Sequence, residues 1–182
     1  SHRFFSWGWE KTSYQKEKII PLPSPSLSKL RYCCKTEEII FVNGISSILP
    51  LRINSLKQPN QVINERNDNS AFIKGLDNKL LSNLFYRPSF SLKSGGQISL
   101  LDEEFIKSNF PKVRIIKGDL HARTMKSKLL ILNQPGTTFN IAMAANIPTI
   151  CYWNPKFYYI DEYRLPDGKI FLEYCNIVCK KV

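Results

Sequence analysis

The sequence predicts an α/β protein in which helices flank a parallel sheet. Short apolar runs that fit buried strands alternate along the chain with longer segments that fit helices, and this alternation is typical of parallel sheets. Two strands are the clearest: residues 38–42, which end at Asn43-Gly44, and residues 129–132, which end at a polar turn. Further strands are predicted at residues 113–116, 149–153 and 177–179.

Helices are predicted where apolar residues recur at a helical period. The longest covers residues 70–86, whose apolar side chains fall on one face and whose end is marked by Pro88. Residues 45–69 are rich in Asn and Gln and contain prolines, so they are predicted to form a loop that leads into this helix. Shorter helices are expected at residues 101–110, 139–145 and 169–174.

The turn after residues 129–132 carries the strongest functional signal in the chain. Gly136 allows a ligand to approach the backbone, and Thr137 or Thr138 is predicted to N-cap the following helix. Backbone N–H groups at a helix N-terminus attract phosphate, and ligands of parallel sheets bind beyond the carboxyl ends of the strands. These three residues are therefore predicted to bind an anionic group, although ordinary helix capping explains the same residue types.

Length and composition fit a folded domain without a membrane-spanning helix. The 182 residues are 43% hydrophobic, which is enough for a sizeable core, and no apolar run is long enough to cross a bilayer. The net charge of +11 favours anionic partners, among them nucleic acid, anionic lipid and phosphorylated substrates. The basic residues are scattered rather than grouped in one block, so no nucleic-acid-binding arm is expected.

The cysteines indicate a reducing compartment and no structural metal. They are odd in number and lack C-x-x-C spacing, and neither His2 nor His121 has a finger-like spacing to them. Neither a disulfide framework nor a zinc site is therefore expected. The five residues are Cys33, Cys34, Cys151, Cys175 and Cys179.

Five sequence blocks occur in a characteristic order along the chain: FFSWGWE (4–10), PLPSPSLS (21–28), IIFVNGISSILPLR (39–52), LFYRP (84–88) and GTTFNIAMAANIPTICYWNP (136–155). In this order they resemble a family of surface-carbohydrate transferases encoded among bacterial O-antigen genes. The last block is the most specific, and the resemblance covers most of the chain. Members resemble glycosyltransferases with two Rossmann domains, the GT-B type. This chain resembles their C-terminal half, which binds a nucleotide sugar.

The resemblance implies a parallel Rossmann-like sheet and a division of the chain into two parts. Residues 1–30 would be an aromatic segment and proline-rich connector from an N-terminal domain. Residues 31–182 would be a nucleotide-sugar-binding domain that stops before its closing helices. The implied function is the donor-binding half of a glycosyltransferase in surface-polysaccharide or O-antigen biosynthesis, inactive unless an N-terminal domain completes it. Two alternatives remain open: a nucleotide-sugar epimerase of the same fold, and a basic, non-catalytic interaction module.

A set of site residues follows from the resemblance and from the chemistry of sugar transfer. Gly136, Thr137 and Thr138 would hold the donor phosphates by their N–H and hydroxyl groups. His121 follows the strand at residues 113–116 and is the candidate acid or base. Further contacts to the donor are expected from Asn133, Gln134, Asn140, Arg52 and Arg87.

The expected ligand is a nucleotide sugar, bound as donor substrate without a cofactor or metal. The acceptor would be a glycan or a lipid-linked glycan and the location cytoplasmic, with peripheral contact to the anionic inner membrane; no nucleic-acid partner is expected. The chain departs from the family pattern at two places. Asn140 or Ile141 stands where relatives have an acidic residue, and Asn133 with Gln134 stands where they often have a His.

Overall fold

A computed structural model of the chain describes residues 3–6, 18–22, 24–44, 59–88, 102–134 and 136–152. Within these ranges the strands form two parallel sheets. A small sheet pairs β1 (Arg3–Ser6) with β2 (Lys18–Pro21). The main sheet contains β3 (Ile39–Val42), β4 (Leu84–Arg87), β5 (Arg114–Ile115), β6 (Leu129–Leu132) and β7 (Thr149–Cys151).

Helices in the described ranges lie between successive strands of the main sheet. Parallel pairing requires such crossover connections, because the chain must return to the same edge before each new strand begins. The predicted class, an α/β fold with a parallel sheet flanked by helices, is therefore confirmed. The helices are α1 (Pro59–Lys74), α2 (Asn78–Ser82), α3 (Asp102–Asn109), α4 (Leu120–Thr124) and α5 (Thr137–Ala145).

The strand order of the main sheet is β5-β4-β3-β6-β7. From β3 the chain adds β4 and β5 on one side, and it then returns to add β6 and β7 on the other side. This is the order of doubly wound, Rossmann-like sheets. The order reverses between β3 and β6, which form the topological switch point of the sheet. Because Val42 pairs with Leu132, both strands end level at the carboxyl edge.

Two apolar layers enclose the main sheet, since successive strand residues point to opposite faces. On β3, Ile39 and Phe41 belong to one layer and Ile40 to the other, and all three are buried. Apolar side chains of α1 and α3 complete the first layer, and those of α4 and α5 complete the second. The helices that follow β3 and β6 therefore lie on opposite faces, which is the arrangement that forms a ligand crevice at the switch point of doubly wound sheets.

The long helix predicted at residues 70–86 is wrong. The structure has α1, which begins at Pro59 inside the predicted loop, and then α2 and β4. A turn at Gly75 follows α1, and the Asp77 carboxylate caps the start of α2. The segment LFYR is apolar enough for either a helix or a strand. It forms a strand because it pairs with β3 along its whole length, with its first three residues buried.

The other predicted elements can be compared one by one. Strands β3, β5, β6 and β7 and helices α3 and α5 confirm the predictions made for them, with small differences at their ends. Helix α5 ends at Asn146, whose φ of 57° is common at helix C-termini. Helix α4 was not predicted. The helix and strand expected at residues 169–174 and 177–179 lie outside the described residues.

The segment before β3 is attached to the main sheet. Leu30 and Tyr32 pack against the layer that contains α5, and the Tyr32 hydroxyl donates to the Ser127 carbonyl at 3.0 Å. The division of the chain between residues 30 and 31 stays a prediction. Among the helices in the described ranges, none has both the length and the apolar character needed to cross a bilayer.

Candidate functional site

The candidate site lies at the carboxyl edge of the main sheet, at the switch point. Asn43 and Gly44 directly follow β3, and Asn133 and Gln134 directly follow β6. Because β3 and β6 are adjacent and parallel, these two polar pairs meet at the same edge. In open α/β sheets this is the position at which ligands bind.

Side-chain amides join the two loops across the switch point. The Gly44 N–H donates to Asn133 Oδ1 at 2.7 Å, and Asn133 Nδ2 donates to Asn43 Oδ1. The Asn133 side chain is buried, with 1% of the residue exposed. Gln134 lies over Gly44 so closely that a Cβ on Gly44 would fall 2.2 Å from Gln134 Cδ. The loops after β3 and β6 are therefore in direct contact, and a side chain at residue 44 would require the Gln134 side chain to move.

Asn43 connects this pair of loops to the helices of one face. Its Oδ1 also accepts from Asn69 Nδ2 on α1 at 3.2 Å, and its Nδ2 donates to Asp102 Oδ2 on α3 at 2.9 Å. The backbone N–H of Asn43 donates to the Arg87 carbonyl at the end of β4. The group formed by Asn43, Asn69, Tyr86, Asp102 and Asn133 is called the Asn43 network below. All its members are buried.

Tyr86 completes the network beneath the Asp102 carboxylate. Its hydroxyl donates to Asp102 Oδ2 at 3.1 Å. Burial raises the pKa of Tyr86 well above its ordinary value, and the Asp102 charge and hydrogen bond raise it further, followed by Glu65. Tyr86 is therefore a hydrogen-bond donor at neutral pH. A carboxylate that accepts from a tyrosine and a carboxamide is well suited to hold Asn43 in one orientation.

Polar groups of α1 continue the acidic surroundings of the network. Burial raises the pKa of the Tyr152 hydroxyl, and the carboxylates of Asp68 and Glu65 raise it further. The Tyr152 ring lies beside Phe72, with 5.0 Å between the ring centroids. Asn69 Oδ1 is buried and has no hydrogen-bond partner in the part of the chain that the structure describes. This α1 side of the site therefore favours hydrogen-bond donors over anions.

The N-terminus of α5 has the opposite character. Gly136 is the N-cap, and its carbonyl accepts from the N–H groups of Phe139 and Asn140 at 3.0 and 3.4 Å. As a glycine, the N-cap has no side chain with which to cap the helix. The N–H groups of Thr137 and Thr138 have no acceptor among the described residues. Two adjacent donors at the positive end of a helix can together bind one anionic oxygen or a phosphate group.

The N-cap predicted for this turn is wrong. Thr137 or Thr138 was expected as the N-cap, whereas the chain enters the helix at Gly136 and both threonines lie inside its first turn. The predicted approach of a ligand to the Gly136 backbone stays a prediction, and the backbone conformation there is open to other residues. The φ of Gly136 is −123°, and a Cβ there would come no closer than 3.5 Å to Gln134 Nε2. The polypeptide itself therefore has room for a side chain at this position.

The structure brings five of the predicted donor-binding residues into one area. Asn133 lies in the Asn43 network, Gln134 is half-buried between Gly44 and Gly136, and Asn140 is exposed on α5. Thr138 is half-buried and Thr137 is exposed. Direct contact of these side chains with a donor stays a prediction.

The remaining predicted residues lie elsewhere. Arg87 ends β4, and its Nη1 donates to the carbonyls of Ile116 and Gly118 in the loop after β5. His121 is exposed on α4, which follows β5, so β4 separates its strand from the switch point. Arg52 lies outside the described residues. Neither described residue is grouped with the N-terminus of α5.

Sequence reasoning missed most of the Asn43 network. Asn69 fell in the predicted loop and Tyr86 in the predicted helix, so neither was placed near the edge of a sheet. Asn43 was noted only as a turn residue. One signal could have found it: Asn43 and Asn133 each follow directly on a buried strand, and parallel strands end at the same edge. Among the described residues, no group of three or more His, Cys, Asp and Glu side chains is arranged to hold a metal ion.

Comparison with known proteins places the chain in a family. No curated protein and no solved structure matches it significantly. A family model described as LIC12162 family transferase matches residues 1–171, which is most of the chain. The chain therefore belongs to the LIC12162 family of transferases.

Proposed function

We propose that this chain is the donor-binding half of a glycosyltransferase and that it binds a nucleotide sugar at the N-terminus of α5. The observation that carries the proposal is the pair of N–H groups on Thr137 and Thr138, which have no acceptor among the described residues. They lie at the carboxyl edge of the sheet, next to the switch point. Membership in a transferase family supports a reaction in which a group leaves such a donor.

The chemistry of sugar transfer fits this end of α5. When the sugar departs, negative charge develops on the nucleoside diphosphate, and fixed N–H groups at a helix N-terminus stabilise that charge without a metal. The hydroxyls of Thr137 and Thr138 would add hydrogen bonds to the same oxygens. Gly136 caps the helix without a carboxylate, so no negative side chain of the cap repels the diphosphate.

The wider proposal follows the family resemblance. The acceptor is a glycan or a lipid-linked glycan, and the reaction belongs to surface-polysaccharide or O-antigen biosynthesis at the cytoplasmic side of the inner membrane. An N-terminal domain of the GT-B type supplies the acceptor side and completes the active site. His121 remains the candidate acid or base, although it lies on α4, whose preceding strand β5 is separated from the switch point by β4.

A thermal-shift panel of UDP-, GDP-, CMP- and dTDP-sugars tests the proposal. One class of nucleotide should raise the melting temperature of the chain in a concentration-dependent way. Thr137→Ala and Thr138→Ala remove the hydroxyls and should weaken binding a few-fold. Thr137→Pro removes one N–H at a helix position that favours proline, so it should preserve the fold and weaken binding by about tenfold.

The three variants test where a nucleotide binds, and the wild type tests whether it binds at all. If one nucleotide class stabilises the wild type and all three variants equally, the ligand binds elsewhere on the protein. If no nucleotide stabilises the wild type, and the chain instead binds heparin in a steeply salt-dependent way, a basic interaction module is the better description.

A further inference from the structure

Asn133 occupies an unusual position between the sheet and the N-terminus of α5. It is the first residue after β6, and its carboxamide points into the Asn43 network. With 1% of the residue exposed, its side chain offers little surface to a ligand in this conformation. Its two polar atoms are both used, since Oδ1 accepts from the Gly44 N–H and Nδ2 donates to Asn43 Oδ1.

These hydrogen bonds fix the turn that leads into α5. The turn has no side-chain cap of its own, so its position depends on contacts with the rest of the protein. Asn133 ties it to the end of β3 by a hydrogen bond from Gly44, and the Gln134 side chain packs on Gly44. A side-chain pair bound across two strands is rigid when every polar atom has a partner and the group is buried.

We propose that Asn133 is a positioning residue that holds the N–H groups of Thr137 and Thr138 in place for an anionic ligand. The inference rests on the proposed function, because it assumes that a diphosphate binds at these groups. Donors that are held in place before binding gain affinity, since less conformational entropy is lost when the ligand arrives. Loss of the Asn133 carboxamide should therefore loosen the turn and weaken the binding of any phosphate ligand there.

Asn69 offers a matched control for this role. Its Nδ2 donates to the same atom as that of Asn133, Asn43 Oδ1, and it is similarly buried. It lies on α1, however, and has no bond to the turn before α5. Asn69→Ala and Asn133→Ala both remove a buried amide donor from the Asn43 network, but only the second removes the link to the turn.

The experiment compares wild type, Asn133→Ala, Asn69→Ala and Thr137→Pro by titration calorimetry with inorganic pyrophosphate and with UDP, GDP, dTDP and CMP. Measurements are made well below the melting temperature of each variant, so that all are folded. Asn133→Ala should bind about tenfold more weakly than wild type, and Asn69→Ala less than about twofold more weakly. Amide hydrogen exchange at residues 136–140 should be faster in Asn133→Ala and unchanged in Asn69→Ala.

The outcomes distinguish the positioning role of Asn133 from the phosphate site itself. If Thr137→Pro weakens binding while Asn133→Ala leaves both affinity and exchange unchanged, the positioning role is overturned and the phosphate site stands. Equal losses in the Asn133 and Asn69 variants also overturn it, because general destabilisation then explains both. If wild type binds none of the probes, both claims fall. Should Asn133→Ala not fold, Asn133→Ser keeps a polar group at the buried position and is measured in the same way.

Discussion

Two turns on the carboxyl edge of the same sheet enter their helices in different ways. The turn between β5 and α4 uses its own carboxylate, since Asp119 accepts from the Ala122 N–H at 3.1 Å. The turn between β6 and α5 has Gly136 at the equivalent position and no side-chain cap. The first turn binds one of its helical N–H groups and adds a negative charge. The second leaves the N–H groups open to an anion.

The two turns are also held in place differently. In the β5–α4 turn, Gly118 has a φ of +85°, and its carbonyl accepts from Arg87 Nη1 at 3.2 Å on the exposed side. The β6–α5 turn is held by the buried Asn133, whose Oδ1 accepts a hydrogen bond from the Gly44 N–H. A helix that caps itself needs little outside support, whereas an uncapped one depends on neighbouring strands. Both turns present a helix N-terminus, so that feature alone does not mark a candidate binding turn. The contrast indicates that buried hydrogen bonds which hold an uncapped turn in place are the more informative feature.

Replacing Gly136 with Asp should make the β6–α5 turn resemble the β5–α4 turn and should give the largest effect. The site has room for a Cβ, so the fold should be retained and gain a few tenths of a kcal/mol from the new cap. The carboxylate should repel a diphosphate by about 3 kcal/mol, which is roughly a hundredfold loss of affinity. Titration calorimetry with the nucleotide sugar that stabilises the wild type measures this loss.

Gly136→Asn is the matched control for charge. It can form the same capping hydrogen bond but carries no charge, so it should weaken binding by only about tenfold. Wild-type affinity in both variants would show that the ligand does not use the N-terminus of α5, and the two turns would then be equally structural.

Some of this arrangement could be predicted from sequence because it depends on neighbouring residues. The four apolar residues Leu129–Leu132 lie between polar ones, and so short a run fits a buried strand better than a helix. Small residues followed by Asn146 favour a short helix with a defined end. The turn between them could be located for the same reason. Its exact cap could not, because either threonine also satisfies the preferences for that position.

The rest depends on residues that are far apart in the chain. The segment LFYR follows α2 without a change in apolar character, and only its pairing with β3 decides that it is a strand. The Asn43 network joins side chains as many as 90 positions apart. Carboxamide hydrogen bonds leave no period in the sequence, so their partners become visible only when the strand order is known.

Tyr86→Phe tests the support of the β6–α5 turn by its effect on protein stability. Tyr86 is linked to that turn by hydrogen bonds that run through Asp102 and Asn43 to Asn133. Burial raises the pKa of Tyr86 well above its ordinary value, with Asp102 adding to the shift. The unfolded tyrosine loses its proton near pH 10, whereas the folded one keeps it. The Tyr86 contribution is therefore complete below about pH 10 and falls above it by about 1.4 kcal/mol per pH unit. Urea denaturation at a series of alkaline pH values measures the slope.

The difference between wild type and variant is the quantity to compare, because burial also raises the pKa of Tyr152 and raises that of Tyr32 to about 12. At neutral pH, Tyr86→Phe should be less stable by about 1 kcal/mol, since Asp102 loses a donor. Above pH 10 its stability should fall less steeply than that of the wild type. Equal slopes for the two proteins would contradict a buried, protonated Tyr86.

The smallest effect on nucleotide binding is expected at the β5–α4 turn. Asp119→Ala removes the cap of α4 and should lower the free energy of unfolding by about 1 kcal/mol, as measured in urea. Nucleotide affinity should not change, because β4 separates this turn's strand from the switch point. Asp119→Asn keeps the acceptor and should recover most of the stability. Weaker nucleotide binding in Asp119→Ala that Asp119→Asn restores would mean that the two turns act together, so the distinction between them would no longer hold.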